Sequence, residues 1–273
     1  MANGNQFPGG AMFLKWVAAA IAAIAISSAQ QKPAPQRGGG FIQPDPIDFN
    51  DHGGWQRIFD GATLQGWDGS PDVWRVEDGA IVGESSPEKR AGTTYIIWTG
   101  GEPKDFELKA EIKLEGNAAN SGIQYRSSRV AADQVRGGPT PNAKFAKWNL
   151  KGYQADFDFA NRYSGQLYEQ GTPRGIIAWR GQVVRTEQGK TPRLLSTLGD
   201  ADALKAYIKA GDWNQMHIIA RGNTMIHMIN GHVMAIFIDD DPTMAASQGV
   251  IGLQIEGGGN VKISFRNLWL KTL

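Results

Sequence analysis

The chain has 273 residues, with 28 basic against 27 acidic side chains and a net charge of +1. That balance, without a long run of like charge, leaves no electrostatic footprint for a nucleic-acid partner. The absence of cysteine excludes disulfides, cysteine nucleophiles and zinc–thiolate sites, while nine Trp and 35 Gly suit a twisted β protein with tight turns.

In chain order, "MFLKWVAAAIAAIAISSAQQ" begins at Met12 with one Lys and an apolar run from Trp16 to Ile26. Ser27 and Ala29 then occupy the −3 and −1 positions of a cleavage site. The run is shorter than the ~20 residues of a membrane-spanning helix. Residues 1–29 therefore read as a signal peptide whose true start is Met12, and the expected location is periplasmic or extracellular. Residues 30–53, rich in Pro, Gly and Gln, read as a flexible linker. A single β domain is expected over 54–273.

Within that domain the hydrophobic period is two. "VWRVEDGAIVGE" puts an Asp-Gly turn between two short apolar runs, which predicts a hairpin. "FELKAEIKLE" (106–115) alternates strictly, with Phe106, Leu108, Ala110, Ile112 and Leu114 on one face. "DADALKAYIKAGDW" predicts a short helix from Asp200 to Gly211. Residues 213–239 read as three strands joined at Gly222-Asn223 and Asn230-Gly231, and 249–271 as two more. The expected fold is all-β: two antiparallel sheets face to face, with insertions over 127–150 and 176–212.

The usual catalytic signatures are missing. There is no Gly-x-Ser-x-Gly elbow, phosphate-binding loop or His-Glu-x-x-His. "GYQADFDF" lacks the third acid of the Glu-x-Asp-x-x-Glu pattern of β-sandwich glucanases. What remains is a set of polar residues on strands. Strict alternation groups Gln124 with Arg126, Gln154 with Asp156 and Asp158, and Gln254 with Glu256. In "SGQLYEQG" the inward residue is Gln166, Tyr168 or Glu169, according to which face turns inward. Carboxylates and amides so placed bind sugar hydroxyls, and Arg174 follows in "TPRG". Asp158 reads as a rim or turn residue. His217 and His227 sit among apolar neighbours and read as structural. Asp239-Asp240-Asp241 reads as a solvated turn at a strand end.

The segments "WQRIFDGATLQGWDG", "NSGIQYRS", "GYQADFD", "SGQLYEQ…RG" and "IGLQIEGG…VKISFRNLWLK" together resemble the 3-keto-disaccharide hydrolase family over about 55–271. The resemblance implies a concanavalin A-like sandwich, or jelly roll. It also implies a 3-keto-glycoside substrate made by a partner sugar 3-dehydrogenase. The implied reaction is removal of the C2 hydrogen, β-elimination at C1 and hydration. The polar positions it marks are Arg126, Gln154, Asp156, Glu169, Arg174 and Gln254. In this reading Asp156 is the base or orients it, Arg126 stabilises the enolate, and Glu169 holds hydroxyls or protonates the leaving oxygen. Gln124 and Tyr168 join the substrate-binding set. A divalent ion is left open, with no ligands defined. Glu256 stands where such proteins often carry His, so it becomes the alternative proton-transfer group. The competing expectations are a non-catalytic lectin-like module and a structural envelope protein.

Overall fold

Residues 44–116, 119–130, 143–257 and 259–273 are described by the computed structural model. The signal peptide and most of the linker expected over 1–43 lie outside the described residues, as does 131–142 of the first insertion. In chain order the strands are β1 (Gln56–Arg57), β2 (Trp67–Asp68), β3 (Trp74–Glu77), β4 (Ala80–Ser85), β5 (Gly92–Trp98) and β6 (Phe106–Glu115). There follow β7 (Asn120–Arg129), β8 (Leu150–Asp158), β9 (Leu167–Gln170), β10 (Gly175–Ala178), β11 (Gln182–Glu187) and β12 (Arg193–Thr197). The last are β13 (Asn214–Arg221), β14 (Thr224–Ile229), β15 (His232–Asp240), β16 (Val250–Gly257) and β17 (Val261–Thr272).

They form two sheets, as the alternating pattern predicts for a β-sandwich. The ten-stranded sheet runs β12-β11-β15-β14-β13-β6-β17-β4-β3, with β1 added beside β17. The seven-stranded sheet runs β10-β9-β8-β7-β16-β5-β2. One pairing departs from the antiparallel expectation: β11 lies parallel to β15, with Gln182 opposite Ala235. Here the chain crosses from one sheet to the other between β10 and β11, so no hairpin dictates the direction.

The core lies between the sheets. Phe106, Leu108, Ala110, Ile112 and Leu114 of β6 join Ile123, Tyr125, Tyr153, Ala155 and Phe157 of β7 and β8 in one buried cluster. The alternation of β6 therefore sends the stated residues inward. Its opposite face is partly covered: Lys109 is buried, and its ammonium donates to Asp48 O at 3.0 Å and Asp51 O at 2.8 Å. His52 stacks on Trp269 at 4.0 Å between ring centroids. Residues 48–52, assigned to the linker by composition, thus lie against the outer face of this sheet.

Turn chemistry sets the hairpins. Asp78 and Gly79 both take positive φ (49° and 74°), as do Asn230 and Gly231 (50° and 80°), which is the requirement of a two-residue type I′ turn. The helix α1 covers only Ala201–Lys205, capped by the Asp200 carboxylate on the N–H groups of Asp202 and Ala203. It stops six residues short of the expected Gly211 because it buries no residue of its own and lacks the packing that sustains a longer helix. Among the described residues no helix is long and apolar enough to cross a membrane.

Candidate functional site

The outer face of the seven-stranded sheet carries the polar residues. On β8, Tyr153, Ala155 and Phe157 point into the core, so Gln154 and Asp156 point away from it. Register aligns Gln154 with Gln124 of β7 on one side and Tyr168 of β9 on the other. Asp156 faces Gly122 of β7, while Glu256 of β16 faces Asn120. The missing side chain at Gly122 opens this face. A Cβ there would fall 2.6 Å from Ala155 O and 2.8 Å from the Gln154 side chain. Gln154 occupies that space and reaches across β7.

A cleft of about 270 Å³ results, lined by Asn120, Gln154, Asp156, Tyr163, Tyr168 and Glu256, with Gln166, Gln170 and Ile176 completing its wall. Carboxamides bracket Asp156: Gln154 Nε2 donates to Oδ1 at 2.6 Å and Gln166 Nε2 to Oδ2 at 2.5 Å. Gln154 Nε2 also donates to Gln254 Oε1 at 2.8 Å, and Gln254 Nε2 to Glu256 Oε2 at 3.3 Å. Two amides therefore connect the two acids. Asn120 Nδ2 donates to Glu256 Oε1 at 3.2 Å. Gln124 lies underneath, donating to Gln154 Oε1 at 3.0 Å, and both Gln124 and Gln254 donate to the buried Tyr95 hydroxyl.

Burial dominates the electrostatics. It pushes the Asp156 carboxyl up to about 8, against the two carboxamide bonds that favour its ionised form, and the charge of Glu256 adds to the rise. Burial also raises Glu256, which stays partly open to the cleft. Asp156 is thus largely neutral near pH 7. Beneath the wall, burial lowers His227 to about 4; its ring meets Tyr125 Oη at 2.8 Å and Gln166 O at 3.1 Å. His217 pairs with Glu107 at 2.8 Å on the other sheet, so both histidines have internal partners.

Three expected site residues lie elsewhere. Arg126 does not share the face of Gln124. A bulge between Tyr125 and Ser128 and a left-handed Arg126 (φ 46°) break the alternation and turn the side chain away from the cleft. Its buried guanidinium donates to Lys104 O at 2.9 Å, Gly222 O at 2.8 Å and Asp105 Oδ1 at 3.1 Å. Glu169 pairs with Tyr153 and so takes the inward parity of β9, whereas Tyr168 takes the cleft. Arg174 holds Glu169 with bonds of 2.6 and 2.8 Å and Asp239 with bonds of 3.1 and 2.8 Å. Thr172, Thr186 and the Tyr153 hydroxyl complete this buried network. Asp239 is accordingly an ion-pair partner, not a solvated turn residue. Asp158 is a turn residue, as expected: its carboxylate accepts from the N–H groups of Arg162, Tyr163 and Ser164.

The parity that selects Gln124 also selects Asn120, which the sequence reading passed over. Tyr163 had no such signal, because a turn delivers it. Among the described residues no three His, Cys, Asp or Glu side chains gather into a metal-binding group.

Residues 54–271 match the model of the 3-keto-alpha-glucoside-1,2-lyase-like domain. The chain belongs to this family. A 3-keto-disaccharide hydrolase of Bacteroides thetaiotaomicron is 34% identical over 99 residues, which cover 34% of this chain and 33% of that relative. Among solved structures, a candidate glycosyl hydrolase of Parabacteroides distasonis superposes with a TM-score of 0.48 at 18% identity, covering 81% of this chain and 94% of its own. A Bacillus subtilis protein with a galectin-like fold gives 0.47 at 11% identity, over 80% and 98% of the two chains. In the 3-keto-alpha-glucoside-1,2-lyase-like domain described here, the cleft lies within the matched residues.

Proposed function

We propose that this protein is an exported carbohydrate-active enzyme that cleaves 3-keto-glycosides by elimination and hydration. The observation that carries the reading is the pair of acids, Asp156 and Glu256, in one polar cleft but in unequal environments. Unequal environments assign acid and base roles to paired carboxylates. Glu256, the more open of the two, takes the C2 proton. The ketone at C3 accepts the electron pair as an enolate. That pair then forms the C1–C2 double bond, and the C1–O bond breaks. Asp156, largely neutral near pH 7, gives its proton to the departing oxygen. Water adds to C1 and C2 regains a proton, so the net change is hydrolysis. The carboxamides of Gln154 and Asn120 orient the two acids, and the Tyr168 ring offers a wall for the sugar.

This assignment moves the leaving-group proton from Glu169 to Asp156, since Glu169 is locked into its ion pair with Arg174. A sugar 3-dehydrogenase acting upstream would supply the ketone. The test is turnover of a 3-keto-glucoside in deuterated water, with an enzyme-free control for spontaneous exchange. Deuterium at C2 of the released sugar is expected. Cleavage without C2 label, or no cleavage across several 3-keto-glycosides, rejects the proposal. The second reading is a non-catalytic glycan-binding module, favoured by Glu256 where the resemblance calls for His. It predicts saturable binding without product.

A further inference from the structure

A glycoside has two parts, a sugar ring and a leaving group. Pockets for drug-sized molecules span ~300–1,000 Å³, and this one is about 270 Å³. A leaving group must therefore extend beyond it, along a wall. Tyr163 is the aromatic residue of the cleft that comes from a turn. Beside it, at 6.4 Å between ring centroids and 42° between planes, stands Trp179. Among the described residues Trp179 is the one tryptophan left exposed, at 46%. The indole is thus half in water, and its ring neighbour Tyr163 lines the polar cleft.

Both rings stand on hydrogen-bonded turns. The turn bearing Tyr163 is fixed by the Asp158 carboxylate, which accepts from three successive backbone N–H groups. The turn bearing Trp179 is fixed by its neighbour Arg180, whose buried guanidinium donates to Ser164 O at 2.7 Å and Ala201 O at 2.8 Å. Arg180 thus ties one aromatic turn to the other across two strands. Rings carried on ordered turns lose less freedom on binding than rings on mobile loops, which is how a preorganised surface gains affinity.

We infer that Tyr163 and Trp179 form the leaving-group subsite of the cleft, a shelf on which a flat or ring-shaped aglycone stacks. The inference rests on the reading of the cleft as a glycoside site. It makes ring-shaped leaving groups bind more tightly than small alkyl ones. Aromatic faces attract both kinds of ring through dispersion and C–H contacts.

The experiment measures binding of methyl and phenyl 3-keto-glucosides to the Asp156→Asn protein by titration calorimetry. The same titrations are repeated with Trp179→Ala or Trp179→Tyr added. The phenyl glycoside is expected to bind roughly fivefold to tenfold tighter than the methyl. Trp179→Ala should erase that preference and Trp179→Tyr should keep most of it. Equal binding of the two ligands, binding of neither, or a preference that survives Trp179→Ala overturns the shelf. Turnover by the unaltered protein reports separately on the catalytic proposal. Phenol release without a phenyl preference rejects the shelf alone. A phenyl preference without release rejects the catalytic reading and supports the shelf as part of a binding site.

Discussion

Asp156 and Glu256, on strands separated by β7, are joined through two side-chain amides: Gln154 bonds Asp156 at 2.6 Å and Gln254 at 2.8 Å, and Gln254 bonds Glu256 at 3.3 Å. The amide chain fixes the geometry of both acids before any ligand arrives. The charge of Glu256 also adds to the rise of Asp156, which burial dominates.

The first prediction concerns stability against pH. Asp156 rises from an ordinary 3.8 to about 8 in the folded protein. Between those values the folded state keeps a proton that the unfolded chain has released. Stability on this account is full below pH ~4, falls as pH rises, and levels off above about 8, at ~1.4 kcal/mol per unit of displacement. Asp156→Asn should flatten the slope of thermal midpoint against pH, lie close to the parent near pH ~4 and exceed it near pH ~8. Parallel slopes for the two proteins would remove Asp156 as the source.

A second prediction separates base from acid. Glu256→Gln should lower kcat on a 3-keto-glucoside by ~10²–10⁴-fold and suppress deuterium exchange at C2 equally. Glu256→His, which restores a base, should recover part of both. If Glu256→Gln slows cleavage but leaves C2 exchange intact, the base is another residue.

Gly122 is the third test. Its substitution by Ala places a methyl group 2.6 Å from a backbone oxygen, which cannot swing aside, and 2.8 Å from the Gln154 side chain. Gly122→Ala should cost ~1–3 kcal/mol in denaturant titration and reduce kcat by displacing Gln154 from Asp156. Unchanged kinetics in a destabilised protein would show that the amide chain is dispensable.

The buried network beside Tyr153 gives the fourth. Arg174→Ala leaves Glu169 and Asp239, whose side chains are 4% and 1% exposed, without their shared cation. Loss of one partner from a buried ion pair costs ~3–5 kcal/mol, read as a lowered denaturation midpoint. At low temperature the folded fraction should keep its activity, because the network lies across β9 from the cleft. A specific loss of turnover with intact folding would return Glu169 and Arg174 to the active site.

Much of the arrangement was legible along the chain. Asp-Gly at 78–79 and Asn-Gly at 230–231 specify their hairpins, because both residues must take positive φ. Period two in β6 and β8 specifies which side chains enter the core, and hence that Gln154 and Asp156 leave it together. Arg126 escaped the same rule because one bulge reverses parity, and a left-handed residue there has no sequence marker in Arg. The helix after Asp200 was overextended for a related reason: a capping residue marks where a helix starts, but burial decides how far it runs.

The sequence by itself determined the sandwich, the family and the inward faces of β6 and β8, since alternation and turn residues act over a few neighbouring positions. Only the tertiary structure decided which polar residues meet. Whether Tyr168 or Glu169 enters the cleft depends on the register of β9 against β8, a long-range pairing invisible to local pattern. Whether Asp156 holds a proton near neutrality depends on how completely other strands bury it. Burial and register are collective quantities: they bring Asp156 and Glu256 to one cleft and place Arg126, Glu169 and Arg174 in buried hydrogen-bond networks away from it.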